Sequence, residues 1–202
     1  MAKQEMVLAV RASAFKEITQ KESGFMADVN IDLLFQPKDV IIASREWLEN
    51  DTDWLQLLGY VTVRCDTKVL LYSRTSNGGE SRLHDKLSIF YGGHTSIDDI
   101  TTFNETINLS QTIATATSRE LGEELGLIVL EPDIEFKGLV WDFTDEVGKV
   151  HLGLLGEITL DTDADLDVED CVKLLGFKTI EEITYSYYPA LEKWSQIGIT
   201  QL

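Results

Sequence analysis

The run Arg119-Glu120-Leu121-Gly122-Glu123-Glu124-Leu125-Gly126-Leu127 reads as the end of an amphipathic helix and its stop. At about 100° per residue, Glu120, Glu123 and Glu124 fall at i, i+3 and i+4 and share one face. Ala114, Leu121 and Leu125 gather on another face, suited to packing on a sheet. Gly126 is placed to end the helix, and Ser110 or Thr112 to cap its start, which predicts a helix over 112–125. Three carboxylates on one face repel one another. A solvated acidic face is one reading of such a pattern. A hard divalent cation among oxygen ligands is the other.

Around this helix the chain alternates strand and loop signals without a repeat or a low-complexity tract. Strands are expected at 5–11, 60–65, 68–73, 86–91, 135–143, 150–160 and 172–178, with turns at Asp66-Thr67 and Asp145–Gly148. A short helix is expected near 45–50 and a terminal one over 189–196. Residues 95–111 form a long polar connection, a lid or only a longer loop. The pattern is mixed α/β, with too few β-α-β alternations for a doubly wound sheet.

Composition narrows the function classes. The 202 residues suit one domain over 1–202, with 1–55 as an ordered N-terminal extension. The formal net charge of −18, from 35 acidic and 17 basic residues, disfavours a nucleic-acid polymer as partner. It leaves open a phosphorylated small molecule carried by cations. No apolar run is long enough to span a bilayer, and the N-terminus lacks a signal-peptide pattern, so the expectation is a cytoplasmic protein with no membrane partner. Cys65 and Cys171 read as buried free thiols rather than a disulfide.

At Arg119 to Leu127 the chain resembles the Nudix hydrolases, whose signature is G-x5-E-x7-R-E-U-x-E-E-x-G-U, with U a bulky aliphatic residue. Arg119, Glu120, Leu121, Glu123, Glu124, Gly126 and Leu127 match its second half without a departure. A chance match of these seven positions is on the order of 10⁻⁵ to 10⁻⁴. The first half departs. Gly92-Gly93 resembles the Gly-Gly that ends a strand in the family, but seventeen residues, not five, separate Gly93 from the position of the signature Glu, which here is Gln111. In the family that Glu orients the Arg; Gln111 has only a neutral hydrogen bond to offer. The segments 80–88, Val150-His151-Leu152-Gly153 and 178–183 resemble a Nudix branch described as predicted phosphoesterases, so the likeness covers roughly residues 55–185.

The resemblance implies a Nudix-type α/β/α sandwich with a mixed central sheet. It implies a metal-dependent pyrophosphohydrolase that cleaves a diphosphate bond in a nucleoside-diphosphate-linked or similar small molecule. Mg²⁺, or Mn²⁺, would be held by Glu120, Glu123, Glu124 and the Gly92 carbonyl, with Glu120, Glu123 and Arg119 as the catalytic set. The general base stays open among Glu120, Glu123, Glu157, Glu169 and Asp170. Arg74, Arg82, His84 and Lys86 put positive charge before Gly93 and read as substrate contacts or as surface charges. His94 and His151 read as structural hydrogen-bonders or as site residues. Trp141 and Phe143 read as core or as a stacking surface for a base. Many relatives form homodimers. The alternative to an enzyme is a Nudix-fold module that senses a nucleotide without cleaving it, an idea fed by Gln111 and the insertion. A prenyl diphosphate isomerase would want an acid/base pair, often with a cysteine, near Gly92-Gly93, and neither cysteine is placed there.

Overall fold

A computed structural model of the chain describes residues 5–75, 86–161, 166, 168 and 172–202, with the side chain of Arg74 outside that description. The architecture is mixed α/β around one large sheet. Strand β4 (Trp54–Cys65) is its spine. One edge of β4 pairs in parallel with β10 (His151–Leu160), and β9 (Glu135–Asp142) and then β2 (Ser23–Ala27) continue antiparallel beyond it. The other edge of β4 takes three partners in turn. Its first residues pair with β1 (Met6–Arg11), which carries β3 (Val40–Ser44). Its middle bridges Tyr91 and His94, and its end turns through Asp66-Thr67 into β5 (Lys68–Arg74). Strand β11 (Val172–Thr179) and the two-residue β6 (Leu87–Ser88) flank β5.

Period-two alternation places apolar side chains on both faces of the sheet. Leu55, Leu57, Val61 and Val63 of β4 face one layer, and Tyr60 faces the other. The first layer is built on α3 (Leu109–Leu125), whose Leu109, Ile113, Leu121 and Leu125 are buried there. The second holds Ile183 of α4 (Ile180–Ser186) and Trp194 of α5 (Lys193–Gly198). Helices therefore cover both faces, as the expected sandwich requires. No helix among the described residues is long and apolar enough to cross a membrane.

Helix α3 begins three residues before the predicted start. Asn108, not Ser110 or Thr112, is its N-cap, with Oδ1 accepting from the Gln111 N–H at 3.0 Å. Asp32 adds a second cap from far along the chain, accepting from the Leu109 N–H at 2.6 Å. The stop is as predicted. Gly126 turns left-handed (φ 65°), and its N–H and that of Leu127 close on the carbonyls of Gly122 and Leu121.

Two other expectations change. The predicted strand 86–91 pairs regularly only at Leu87–Ser88, because the chain leaves β5 there and crosses to β4, where Tyr91 and Val61 exchange both backbone hydrogen bonds. The terminal helix starts at Lys193, because Tyr188–Ala190 winds as a 3-10 turn and Glu192 then caps a new helix by accepting from the N–H groups of Trp194 and Ser195. The first 55 residues hold sheet strands β1, β2 and β3 and two helices, α1 (Ala12–Thr19) and α2 (Arg45–Leu48). Leu8, Val10 and Phe15 share a core with Leu109 and Ile113. The connection 95–111 is also folded. A 3-10 turn at Ile97–Asp99 is followed by a small hairpin of β7 (Thr102–Phe103) and β8 (Thr106–Ile107), both ahead of the start of α3.

Candidate active site

The Tyr91–His94 segment is pinned along β4. The Thr95 N–H donates to the Leu57 carbonyl at 3.1 Å, and Tyr91 is tied to Val61. Two glycines make the close approach feasible. Gly92 sits at φ 144°, and a Cβ on it would strike the Gly59 carbonyl. A Cβ on Gly93 would strike the Glu120 carboxylate. The Gly-Gly backbone and the motif helix thus meet face to face, at a cleft of about 230 Å³.

Glu120 and Glu124 line that cleft with Gly92 and Gly93. Glu123 does not: its carboxylate is 57% exposed at the rim and accepts from Arg119 Nη1 at 2.9 Å. The same Nη1 donates to Glu120 Oε1 at 2.7 Å. Burial raises the Glu120 carboxyl above its ordinary pKa, against the opposing pull of Arg119.

Arg119 is itself held by a residue outside the motif. Asp99 receives its Nε on Oδ1 and its Nη2 on Oδ2, both at 2.9 Å, a two-pronged guanidinium–carboxylate pair. Nη2 also donates to the His94 carbonyl at 3.2 Å. The Asp99 side chain is only 4% exposed, and Oδ2 accepts in addition from the Ser96 N–H at 2.8 Å, which fixes the turn that presents it. Hydrogen bonding to Asp99 above all holds the guanidinium pKa above its ordinary value. Gln111 takes no part in this. Its amide donates to Glu131, which also accepts from Thr115 at 2.6 Å. The reading of Gln111 as a neutral partner for Arg119 is therefore corrected: the orienting carboxylate comes from the connection 95–111.

The remaining wall mixes charge and aromatic surface. Carboxylates of Glu5, Glu120, Glu124, Asp145 and Glu192 line the cleft, against two cations, Arg45 and Lys193, among the described residues. Tyr60 and Trp194 line it as well, packed edge to face at 5.3 Å. Glu192 is buried and accepts from Tyr60 Oη at 3.0 Å. Burial raises its carboxyl pKa, while bonds from Ser195, Trp194 and Tyr60 pull the other way. Across the cleft His94 and His151 bring their Nε2 atoms to 3.1 Å. Burial, then His151 and Arg45, hold the His94 pKa well below the ordinary value.

No protein-family model matches the chain. Among curated proteins it is 37% identical over 155 residues to Protein YmaB of Bacillus subtilis (strain 168), covering 75% of this chain and 72% of that protein, whose name states no activity. Among solved structures it superposes on the crystal structure of "Tm1382, a putative Nudix hydrolase" with a TM-score of 0.77 and 25% identity, over 98% of this chain and 97% of that one. The match takes in the segments before Trp54 as well as the motif helix.

The chain belongs to the Nudix hydrolase family.

The predicted Nudix site residues separate into three groups. Arg119, Glu120, Glu124, Gly92 and Gly93 come together at the cleft or directly against it, with Glu123 tied to its rim. Arg82, His84, Glu169, Asp170 and Cys171 lie outside the described residues, as does the side chain of Arg74. Lys86 sits in a neighbouring groove with Lys193 and Glu192. Glu157 is engaged by Arg64 and Lys137 and does not line the cleft. Trp141 is core: it is buried edge to face on Phe15, and Nε1 donates to the Lys21 carbonyl. Phe143 is buried beside them, and Cys65 is buried at the end of β4. Sequence reasoning missed Asp99, Arg45, Lys193 and Asp145. Arg45 had one signal, a basic residue opening a predicted short helix. Lys193 opens α5, and Asp99 and Asp145 sit in turns that no periodicity marks.

Proposed function

We propose that this Nudix hydrolase cleaves the diphosphate bond of a nucleoside-diphosphate-linked or similar small molecule, using a divalent cation at the Glu120/Glu124 face. One observation carries the reading. Two carboxylates of the motif helix face the Gly92-Gly93 backbone across a cleft, and the arginine between the motif glutamates is locked by a buried carboxylate. A sensor needs no such arrangement. The donor set fits a hard cation: carboxylate oxygens and a strand-end carbonyl, set so close that a Cβ on Gly93 would push the Glu120 carboxylate aside.

Glu120, Glu124 and the Gly92 carbonyl would hold Mg²⁺ or Mn²⁺, with Glu123 as a third carboxylate at the rim. Bound there, the ion supplies neutralisation of phosphate oxygens and acidification of water. The chain does the rest. Even without the buried Glu192, whose pKa burial raises, four acidic residues against two cations give the cleft a surplus of negative charge, so a bare diphosphate is repelled until cations accompany it. Arg45 and Lys193 take phosphate oxygens at the mouth. Tyr60 and Trp194 offer a flat apolar wall for the group attached to the diphosphate. Arg119 fixes Glu120 Oε1 and leaves the second carboxylate oxygen toward Gly93, as a cation ligand. Asp99 keeps Arg119 from swinging away. We propose further that residues 1–202 act as one Nudix-like domain, since β1 and α1 share the core of α3.

The test is a panel of nucleotide sugars, dinucleoside polyphosphates, nucleoside triphosphates and prenyl diphosphates, incubated with Mg²⁺ or Mn²⁺ and again with chelator, the products read by mass. Metal-dependent cleavage at a diphosphate bond is expected. Tight binding of one compound with no cleavage under either metal would move the chain to the sensing module.

A further inference from the structure

Beside the cleft lies a second group of ligand atoms that the motif chemistry does not use. His94 Nε2, His151 Nε2 and a carboxylate oxygen of Glu49 all lie within 4.8 Å of one another. They come from three separate elements: the strand end after Gly93, the start of β10, and the residue that follows α2. We propose that Glu49, His94 and His151 form a transition-metal site of the Zn²⁺ class, separate from the all-oxygen face of Glu120 and Glu124.

Three features carry this. The first is tautomer. His151 Nδ1 lies 2.6 Å from the Val147 carbonyl, which only accepts, so Nδ1 carries the proton and the Nε2 lone pair points inward. A backbone carbonyl that fixes one ring nitrogen and so orients the other is the usual outer support of a metal-binding histidine. The second is spacing. Bonds of about 2.0–2.1 Å to one four-coordinate ion put neighbouring nitrogens about 3.3 Å apart. The two Nε2 atoms are 3.1 Å apart with ring planes at 64°. Glu49 Oε1 stands 4.0 Å from His151 Nε2, within a side-chain rotation of joining them. The third is access. His94 and His151 line the cleft, so a fourth position opens toward it, the form of a site that exchanges a water or substrate oxygen. Arg45 is the nearby cation to be reconciled. It is already paired with Glu5 at 3.0 Å and reaches Glu49 only at 3.5 Å.

Ligand softness separates the two faces. Two imidazoles and one carboxylate favour Zn²⁺, Co²⁺ or Ni²⁺ over Mg²⁺, whereas Glu120 and Glu124 offer only oxygen. The site would hold its ion whether or not the cleft hydrolyses a diphosphate.

Co²⁺ is the probe. The full chain is stripped with chelator and titrated with Co²⁺ alone, and visible absorption is followed. A low-coordinate site with nitrogen ligands absorbs far more strongly than six-coordinate Co²⁺ among oxygens. The expected result is one equivalent giving an intense band that Zn²⁺ abolishes and excess Mg²⁺ leaves in place. The band persists in Glu120→Gln and Glu124→Gln and is lost in His151→Gln. Glu49→Gln, at a partly exposed position that spares the fold, weakens Co²⁺ binding at least about tenfold, since even outer-shell changes cost about 10–100-fold. No intense band in the wild type, or a band that survives both His151→Gln and Glu49→Gln, overturns the site and leaves a neutral histidine pair in which His94 Nε2–H donates to His151. A band lost only in the Glu120 or Glu124 variants also overturns it.

Discussion

Asp99 grips Arg119 through both oxygens, each at 2.9 Å, across twenty residues of chain. The family signature would place the orienting carboxylate eight residues before Arg119, and this chain has Gln111 there. Asp99 stands in for it from a turn that the inserted connection builds. Asp99→Asn should therefore keep the fold and lose turnover. One charge-assisted pair is worth about 1–3 kcal/mol of stability. Freeing Arg119 to wander should lower kcat roughly 10–100-fold, or about 1.4–2.7 kcal/mol of barrier. KM should move less. Steady-state kinetics on the best panel substrate, beside thermal melts, read both.

Restoring the signature residue should fail. Gln111 donates its amide to Glu131, so Gln111→Glu sets one carboxylate against another. The variant should melt lower, by a few tenths to about 2 kcal/mol, and it should not rescue Asp99→Asn. Recovery of activity in the double variant would show that position 111 can reach Arg119.

Gly93 tests the meeting of strand and helix. A Cβ there strikes the Glu120 carboxylate. Gly93→Ala should displace Glu120, lower kcat/KM by at least about tenfold and weaken Mg²⁺ binding, with only a modest change in melting temperature. Gly92→Ala should be worse for the fold, since its Cβ meets the Gly59 backbone and its φ of 144° disfavours any side chain.

Glu192 makes stability depend on pH. Its folded pKa is raised above the unfolded value of 4.5 by burial. Between that value and the raised one the folded chain holds the extra proton, so its contribution to stability falls as pH rises through this window and stays low above it. Glu192→Gln loses part of the α5 cap at every pH but removes this slope. The stability of the variant relative to wild type should rise as pH climbs above the unfolded value of 4.5, measured by urea denaturation. A relative stability that is flat, or that falls with pH, would contradict it.

Much of this could be read from the chain because the signals were local and periodic. The carboxylate face of α3, its glycine stop, and strands β4, β5, β9 and β10 all follow from spacing within one element. What was not legible depended on contacts distant in sequence. Asp99 sits in a 3-10 turn with no periodicity, and it is buried where it pairs with Arg119. Asp32 caps α3 from 77 residues away. His94 and His151 meet across 57 residues, because one follows a strand end and the other opens β10. Strands β2 and β3 are five residues each and lie beyond the central strands, without the long alternation that marks β4. Gln111 showed which partner of Arg119 was missing, but nothing in the sequence showed where its substitute came from.

The most direct measurement is kcat with saturating Mg²⁺ for the wild type and for Glu124→Gln on whichever diphosphate the panel selects. Glu124 lines the cleft, while Arg119 is held by Asp99 and bonded to Glu120, so the variant removes one proposed cation ligand and leaves the Asp99–Arg119–Glu120 chain in place. Wild-type cleavage that requires Mg²⁺ and falls by about 100-fold or more, some 2.7 kcal/mol of barrier, is expected. Cleavage that proceeds equally well in the variant would place the chemistry elsewhere on the molecule.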